Sequence, residues 1–332
     1  MRSTTAFATL LERFFLERLR QQRHASAHTI VSYRDTFRLL FEFTQKTLRK
    51  SPCSLDVSDL NVNLIGAFLN DIEQSRSNAV RTRNLRLTAI RSFCNFACVQ
   101  EPDRCAHFQR ILAIPRKRYT RREINFLTRA EIETLLSAPD RNTWFGRRDH
   151  ALLFVALQTG LRLSELTSLR RDALVLDLSP HVRCIGKGRK ERTTPLTRQT
   201  VAVLKTWLKE LSLKGVEVIF PTYSGGPLSA DAVQDLLKKY VDKIRPICPS
   251  LKHKRISPHV LRHSAAMELL HAGVDSSLIA LWLGHESVDT TQIYIHAHLA
   301  LKEAAMAKIK PLAAKPRRFK ADDRVLQFLA TL

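Results

Sequence analysis

Over roughly the first 112 residues, apolar side chains recur at helical spacing and never settle into an alternating pattern. This is the strongest constraint on the fold. A stretch with a 3.6-residue apolar period can bury a stripe of a helix but offers a sheet no face to bury. Phe7, Leu10, Leu11, Phe14 and Leu19 mark a first helix. Ser26 is placed to cap a second that carries Ile30, Tyr33, Phe37, Leu40 and Phe41. Ser58 is placed to open a third, with Leu64, Phe68, Leu69 and Ile72 on one side. A fourth is expected over 78–99, with Leu87, Ile90, Phe93 and Phe96 apolar.

The pattern changes after residue 114. Residues 115–127, PRKRYTRREINFL, hold five basic side chains and few apolar ones, which reads as an interdomain linker. Thr128 and Glu131 then fit a capping box that opens a second domain. Helices are expected over 129–137, 147–158, 163–170, 197–211, 230–244, 258–271 and 276–283. Gly160 is suited to end the second of these. Between them, HVRCIGKGRKERTTPL (181–196) sets two short extended runs around a polar turn and reads as a β-hairpin. The expected division is 1–114, a linker at 115–127, 128–312, and a tail at 313–332. The fold class is mainly α with a small β-sheet.

Charge narrows the function. The 332 residues hold 54 Lys and Arg against 31 Asp and Glu, a net charge of +23. Residues 1–127 contain 22 basic and 11 acidic groups, and residues 128–332 contain 32 and 20, so the excess is shared. A basic tail would suggest a loose anchor, whereas two basic folded halves suggest a polyanion gripped from two sides. The expected fourth helix adds Arg81, Arg83, Arg86 and Arg91 to its apolar face, and the linker adds Arg116, Lys117 and Arg118. All seven are candidate DNA contacts, with a solvated face and a solvated linker as the alternatives. No apolar run approaches the ~18 residues a membrane span needs. The N-terminal segment meets Glu12 before any long apolar core, so an amphipathic helix is expected in place of a signal peptide. Six Cys without C-x-x-C spacing fit a reducing cytoplasm, with Cys94 and Cys98 as packing residues.

Four patches of the second half carry chemistry: Thr159-Gly-Leu-Arg162 with Glu165, Gly186-Lys187-Gly188, His259 with Arg262, and Gly284-His285 followed by Tyr294. Arg162 and Glu165 share a helical face, as do His259 and Arg262, and a surface ion pair or cap is the plain alternative for each pair. Together they form a set. Two arginines offer forked donors to the non-bridging oxygens of a phosphate, two histidines and a lysine can move protons, and a tyrosine can act as a nucleophile. The guanidinium groups supply the charge a metal would otherwise supply, so neither metal nor cofactor is called for. His259 and His263 have zinc-like spacing but lack the glutamate of an H-E-x-x-H site. Trp282 and Leu283 read as core.

The ordered series TGLRLSEL, IGKGRKERTTPL, SPHVLRHSAA and LWLGHESVDTTQIYIH resembles the tyrosine recombinases, also called the phage integrase family, and its Xer-type and mobile-element members in particular. The resemblance spans roughly residues 5–310 and is densest over 159–296; AHTIVSYRDTFRLLFEF carries a looser likeness in the first half. It implies an all-helical, SAM-like core-binding domain followed by a mixed α/β catalytic domain. Arg162 resembles the first catalytic arginine, Glu165 the acidic residue that props it, and Lys187 the mobile lysine of the hairpin turn. His259 and Arg262 resemble the central His-x-x-Arg pair, His285 the second histidine, and Tyr294 the nucleophile.

What the resemblance implies is DNA cleavage and rejoining through a 3′-phosphotyrosine bond, which stores the phosphodiester energy and needs no cofactor. Partners implied are double-stranded DNA with inverted half-sites and further copies of the chain in a tetramer, with or without a related recombinase. The location implied is the cytoplasm, on a bacterial chromosome or plasmid, with no membrane. Integration, excision or transposition of a mobile element is the leading role. Xer-type dimer resolution, a type IB topoisomerase and a non-catalytic DNA-binding regulator are the alternatives. The apolar residues Val325, Leu326, Phe328, Leu329 and Leu332 need cover, either on their own domain or on a neighbouring protomer.

Overall fold

The computed structural model describes residues 7–120, 124–186, 191–212 and 215–284. The chain divides into two compact units, Met1–Arg121 and Arg122–Leu332.

Every regular element among the described residues of the first unit is helical. Helix α1 (Phe7–Arg13) continues into a π-helical stretch, Phe14–Gln22. The wider turn has a reason in the sequence. Phe14 and Leu19 are five apart, and an α-helix would turn them about 140° away from each other. Here both are buried, at 0% and 1% exposure. Helix α2 (Ala27–Leu48) starts where expected, with Ser26 Oγ accepting from the Thr29 amide. Helix α3 (Val62–Gln74) corrects the expected start: its cap is Asn61, whose side chain accepts from the Leu64 amide at 3.0 Å. Ser58 instead lies in a 3₁₀ turn, where the Asp56 carboxylate binds both its amide and its hydroxyl. Helix α4 (Val80–Gln100) is followed by a short α5 (Cys105–Leu112) that the apolar pattern did not single out. The core is aromatic: Phe93 meets Phe7, Phe14 and Phe37 edge-on, with ring centroids 5.6, 5.6 and 5.5 Å away. Cys94 is buried beside it, as expected of a packing residue.

The second unit opens at α6 (Arg129–Ser137) with the expected capping box. Thr128 Oγ1 accepts from the Glu131 amide, and the Glu131 carboxylate accepts from the Thr128 amide at 2.8 Å. Glu131 is buried, and Lys254 Nζ donates to both its oxygens. The central helix α7 (Trp144–Thr159) buries Leu152, Leu153 and Val155 and ends at Gly160, whose φ of 65° favours glycine. Helix α8 (Leu163–Thr167) follows. The hairpin is present as β2 (His181–Ile185) and β3 (Glu191–Pro195), antiparallel with Cys184 opposite Arg192. A two-residue strand β1 (Leu174–Val175), too short for any period, pairs with β2 and makes the order β1-β2-β3. Helices α9 (Arg198–Ser212), α10 (Ala230–Ile244), α11 (Pro258–His271) and α12 (Ser276–Leu283) complete the described part. No helix among the described residues is long and apolar enough to cross a membrane.

Candidate DNA-cleaving site

The site forms where three chain reversals meet. Gly160 stops α7, so Arg162 emerges before α8 in extended backbone (φ −67°, ψ 152°). Gly284, at φ 65°, stops α12. Pro258 starts α11 and brings Arg262 beneath both ends. A Cβ added at Gly160 would lie 2.6 Å from Leu283 Cδ2, so the two helix ends pack too closely for any other residue.

Both expected arginines point to this junction. Arg162 Nη2 donates to the Gly284 carbonyl at 2.7 Å. Arg262, only 6% exposed, donates from Nη1 to the Gly160 carbonyl at 2.7 Å and from Nη2 to the Leu283 carbonyl at 2.6 Å. Trp282 is half-buried and donates from Nε1 to the Thr159 carbonyl, which ties α12 to the end of α7.

Glu165 props Arg162 in two ways. Its Oε2 accepts from the Arg162 amide at 2.7 Å and its Oε1 from Arg162 Nη1 at 3.0 Å. A third arginine joins them that sequence reasoning passed over. Arg192 donates from Nη1 to Glu165 Oε1 at 2.8 Å and from Nη2 to Oε2 at 2.6 Å. Burial alone would raise the Glu165 carboxyl, but the bonds from Arg192 and from the Arg162 amide outweigh it and hold the group down at about 2. Arg192 lies in the quoted hairpin stretch among Arg189, Lys190 and Lys187, and no spacing distinguishes one of these cations from another. Its burial against Glu165 is what brings Arg192 forward.

His259 is exposed in the first turn of α11, one turn before Arg262. His263, one turn after His259, is pushed down to about 4 by burial and by the neighbouring His259 and Arg262, so it is neutral at pH 7. Lys187, His285 and Tyr294 lie outside the described residues.

The seven candidate DNA contacts of the first unit divide. Arg81 is exposed, as are Arg116, Lys117 and Arg118. The expectation of one basic face on α4 is corrected for the other three. Arg83 is 5% exposed and pairs with Glu73 at 3.5 Å. Arg86 Nη1 donates to the Ser32 carbonyl and to Thr36 Oγ1, both at 3.0 Å. Arg91 Nε donates to the Leu112 carbonyl at 3.1 Å. Helix α4 lies in the middle of its unit, so guanidinium groups along it meet neighbouring helices before they meet solvent. The expected linker also has structure at its start: the Asn84 side chain bonds both the carbonyl and the amide of Lys117, at 2.8 and 3.1 Å.

The phage integrase family matches residues 125–300, and its N-terminal SAM-like domain matches residues 12–101. The integrase/recombinase y4rC of Sinorhizobium fredii is 54% identical over 332 residues, covering 100% of both chains. The tyrosine recombinase XerC of Natranaerobius thermophilus is 31% identical, covering 90% of this chain and 98% of its own. In fold, the chain is similar to the XerH site-specific recombinase bound to palindromic difH substrate, with a TM-score of 0.69, 21% identity, and 86% and 81% of the two chains covered. It is also similar to the Tn1549 transposon integrase in complex with transposon right end DNA, with a TM-score of 0.66, 18% identity, and 90% and 98% covered. The chain belongs to the phage integrase family, the tyrosine recombinases, enzymes that cut and rejoin DNA.

Proposed function

We propose that this protein is a site-specific recombinase that cuts and reseals duplex DNA through a 3′-phosphotyrosine bond to Tyr294, in the integration, excision or transposition of a mobile element. The convergence of Arg162 and Arg262 on the carbonyls of Gly284 and Leu283, immediately before His285 in the chain, carries this reading. Tyr294 Oη attacks the scissile phosphorus and the bond to the 5′-oxygen breaks. A free tyrosine has a pKa near ~10, so its proton needs an acceptor, and His259 serves. Lys187 protonates the departing 5′-oxygen. Arg162 and Arg262 stabilise the charge that builds on the non-bridging oxygens, with His285 as a further donor. Attack by a 5′-hydroxyl from a second duplex reverses these steps and exchanges the strands. The exchange needs two cut duplexes side by side, hence four protomers on paired inverted half-sites. The 54% identity to y4rC, which carries the name integrase/recombinase, against 31% to XerC, supports reading the chain as an integrase.

A pool of nicked duplexes carrying inverted repeats of varied sequence tests the reading. Cleavage beside a nick releases a short fragment, so the covalent complex cannot reseal. The wild-type chain should yield denaturant-resistant protein–DNA adducts on a subset of the pool. Tyr294→Phe should yield none, with DNA affinity within about twofold of wild type, because one hydroxyl contributes little beside the phosphate contacts. Adducts from Tyr294→Phe would overturn the assignment of the nucleophile. Absence of adducts from the wild type would favour a non-catalytic DNA-binding regulator, and plasmid relaxation without site preference a type IB topoisomerase.

A further inference from the structure

We propose that Arg192 is a positioning residue for strand cleavage: it shares the negative charge of Glu165, so that Arg162 meets the scissile phosphate with its own charge undiminished and its guanidinium fixed. The proposal rests on the recombinase reading above and assigns a role to a residue that the reading does not need.

The geometry is specific. Arg192 binds Glu165 in a two-pronged fashion, at 2.8 and 2.6 Å, and their side chains are 9% and 4% exposed. The same two oxygens hold Arg162 through its amide and its Nη1. A lone Glu165–Arg162 pair would be close to neutral, and a neutral pair is a poor partner for a phosphate anion. With Arg192 present, two guanidinium charges share one carboxylate and the trio keeps one net positive charge. The Arg192 and Glu165 side chains are nearly closed to solvent, so that charge is weakly screened. The fork also fixes the carboxylate plane, and the plane fixes where Arg162 points.

The backbone around Arg192 is shaped to admit it. A Cβ added at Gly284 would lie 2.9 Å from Arg192 Cδ and 3.0 Å from its Nη1. One added at Gly186 would lie 3.1 Å from Arg192 Nη1 and 3.3 Å from Arg162 Nη1. Two glycines, one leading into the hairpin turn and one ending α12, therefore flank this side chain. Gly284 is also the residue whose carbonyl accepts from Arg162. Arg192 thus connects β3, Glu165 and the end of α12 at one point, and its displacement would move Arg162 on two sides.

Arg192 could instead only fasten the hairpin to α8. The charge of the phosphate separates the two roles. A methylphosphonate at the scissile position has one charged oxygen replaced by methyl, so cleaving it demands less of the arginines. The probe is a nicked duplex that the wild-type chain captures, made with either the ordinary diester or the methylphosphonate. Cleavage of the diester by Arg192→Met should fall about 100-fold, the scale of a misplaced catalytic group. Its diester-to-methylphosphonate rate ratio should fall at least about tenfold below wild type, in the same direction as for Arg162→Lys. Thermal melting checks folding. Should Arg192→Met melt below the assay temperature, Arg192→Gln carries the comparison, because it removes the charge but keeps a hydrogen-bond donor toward Glu165. An unchanged ratio, whether both substrates slow equally or neither slows, overturns the proposal. A wild-type chain that captures no duplex overturns the recombinase reading itself, and this inference with it.

Discussion

Arg83 in the first unit and Arg262 in the second are buried almost equally, at 5% and 6% exposure, yet their settings differ. Arg83, Arg86 and Arg91 leave α4 toward three different neighbours: Glu73 on α3, Ser32 and Thr36 on α2, and the Leu112 carbonyl closing α5. Each cross-links one pair of helices, and the charge is dispersed through the bundle. Arg162, Arg192 and Arg262 come instead from three separate elements and gather at the ends of α7, α8 and α12. Arg162 and Arg262 each donate to backbone carbonyls, which orient a guanidinium, and the one carboxylate beside Arg162, Glu165, is shared with Arg192. Dispersed arginines stabilise a fold, whereas gathered arginines build a local field for an anion. Both arrangements are present in one chain, and net charge alone does not tell them apart.

Substitutions in each cluster can break this contrast. The largest effect belongs to Arg262→Gln, which should slow covalent adduct formation by roughly 10²- to 10³-fold, the usual loss for one preorganised donor. A loss under about tenfold would place Arg262 with the structural arginines. Next is Glu165→Gln. The carboxyl lies at about 2 in the fold against an ordinary 4.5, so its contribution is fully present above 4.5 and is lost as pH falls toward 2. The variant should be less stable than wild type by about 3 kcal/mol at pH 7 in urea unfolding, with the gap narrowing between pH 4.5 and 2. A gap independent of pH would mean that the lost contacts are steric and not charged.

Arg83→Met should destabilise the first unit by about 1–3 kcal/mol, since Glu73 loses a buried partner, while adducts per bound molecule stay at the wild-type level. A specific loss of cleavage would move Arg83 to the catalytic side of the contrast. The smallest effect is expected of Arg81→Ala, which removes an exposed charge. The slope of log affinity against log salt should fall by about 1 with no change in melting temperature. An unchanged slope would take Arg81 off the DNA interface.

Much of this is legible in the sequence. Periodicity revealed most of the helices of both units, and the polar turn revealed the hairpin, because both signals are local and repeat over many residues. The elements passed over are short. Helix α5 has eight residues and β1 has two, too few to establish a period. The start of α3 was misplaced because Ser58 and Asn61 are both good caps, and the choice fell to Asp56, which captures Ser58 in a turn of its own. Arg162, Glu165 and Arg262 were singled out because they occur in ordered patches, and a patch survives without knowledge of its neighbours.

By itself, then, the sequence determined the helical character of the first unit, the small sheet of the second, the even division of +23 between the two halves, and the ordered residues that identify the family. Tertiary structure alone decided which arginines face inward. Helical spacing places Arg81, Arg83, Arg86 and Arg91 along one helix, but three of them end on protein partners because α2, α3 and α5 surround it. Arg192 is the converse case. Nothing local separates it from the other cations of the hairpin, and it becomes part of the site only because β3 carries it to a buried carboxylate 27 residues away in sequence. Spacing along a chain records which face a residue shares, whereas burial and charge compensation depend on what the rest of the chain brings to that face.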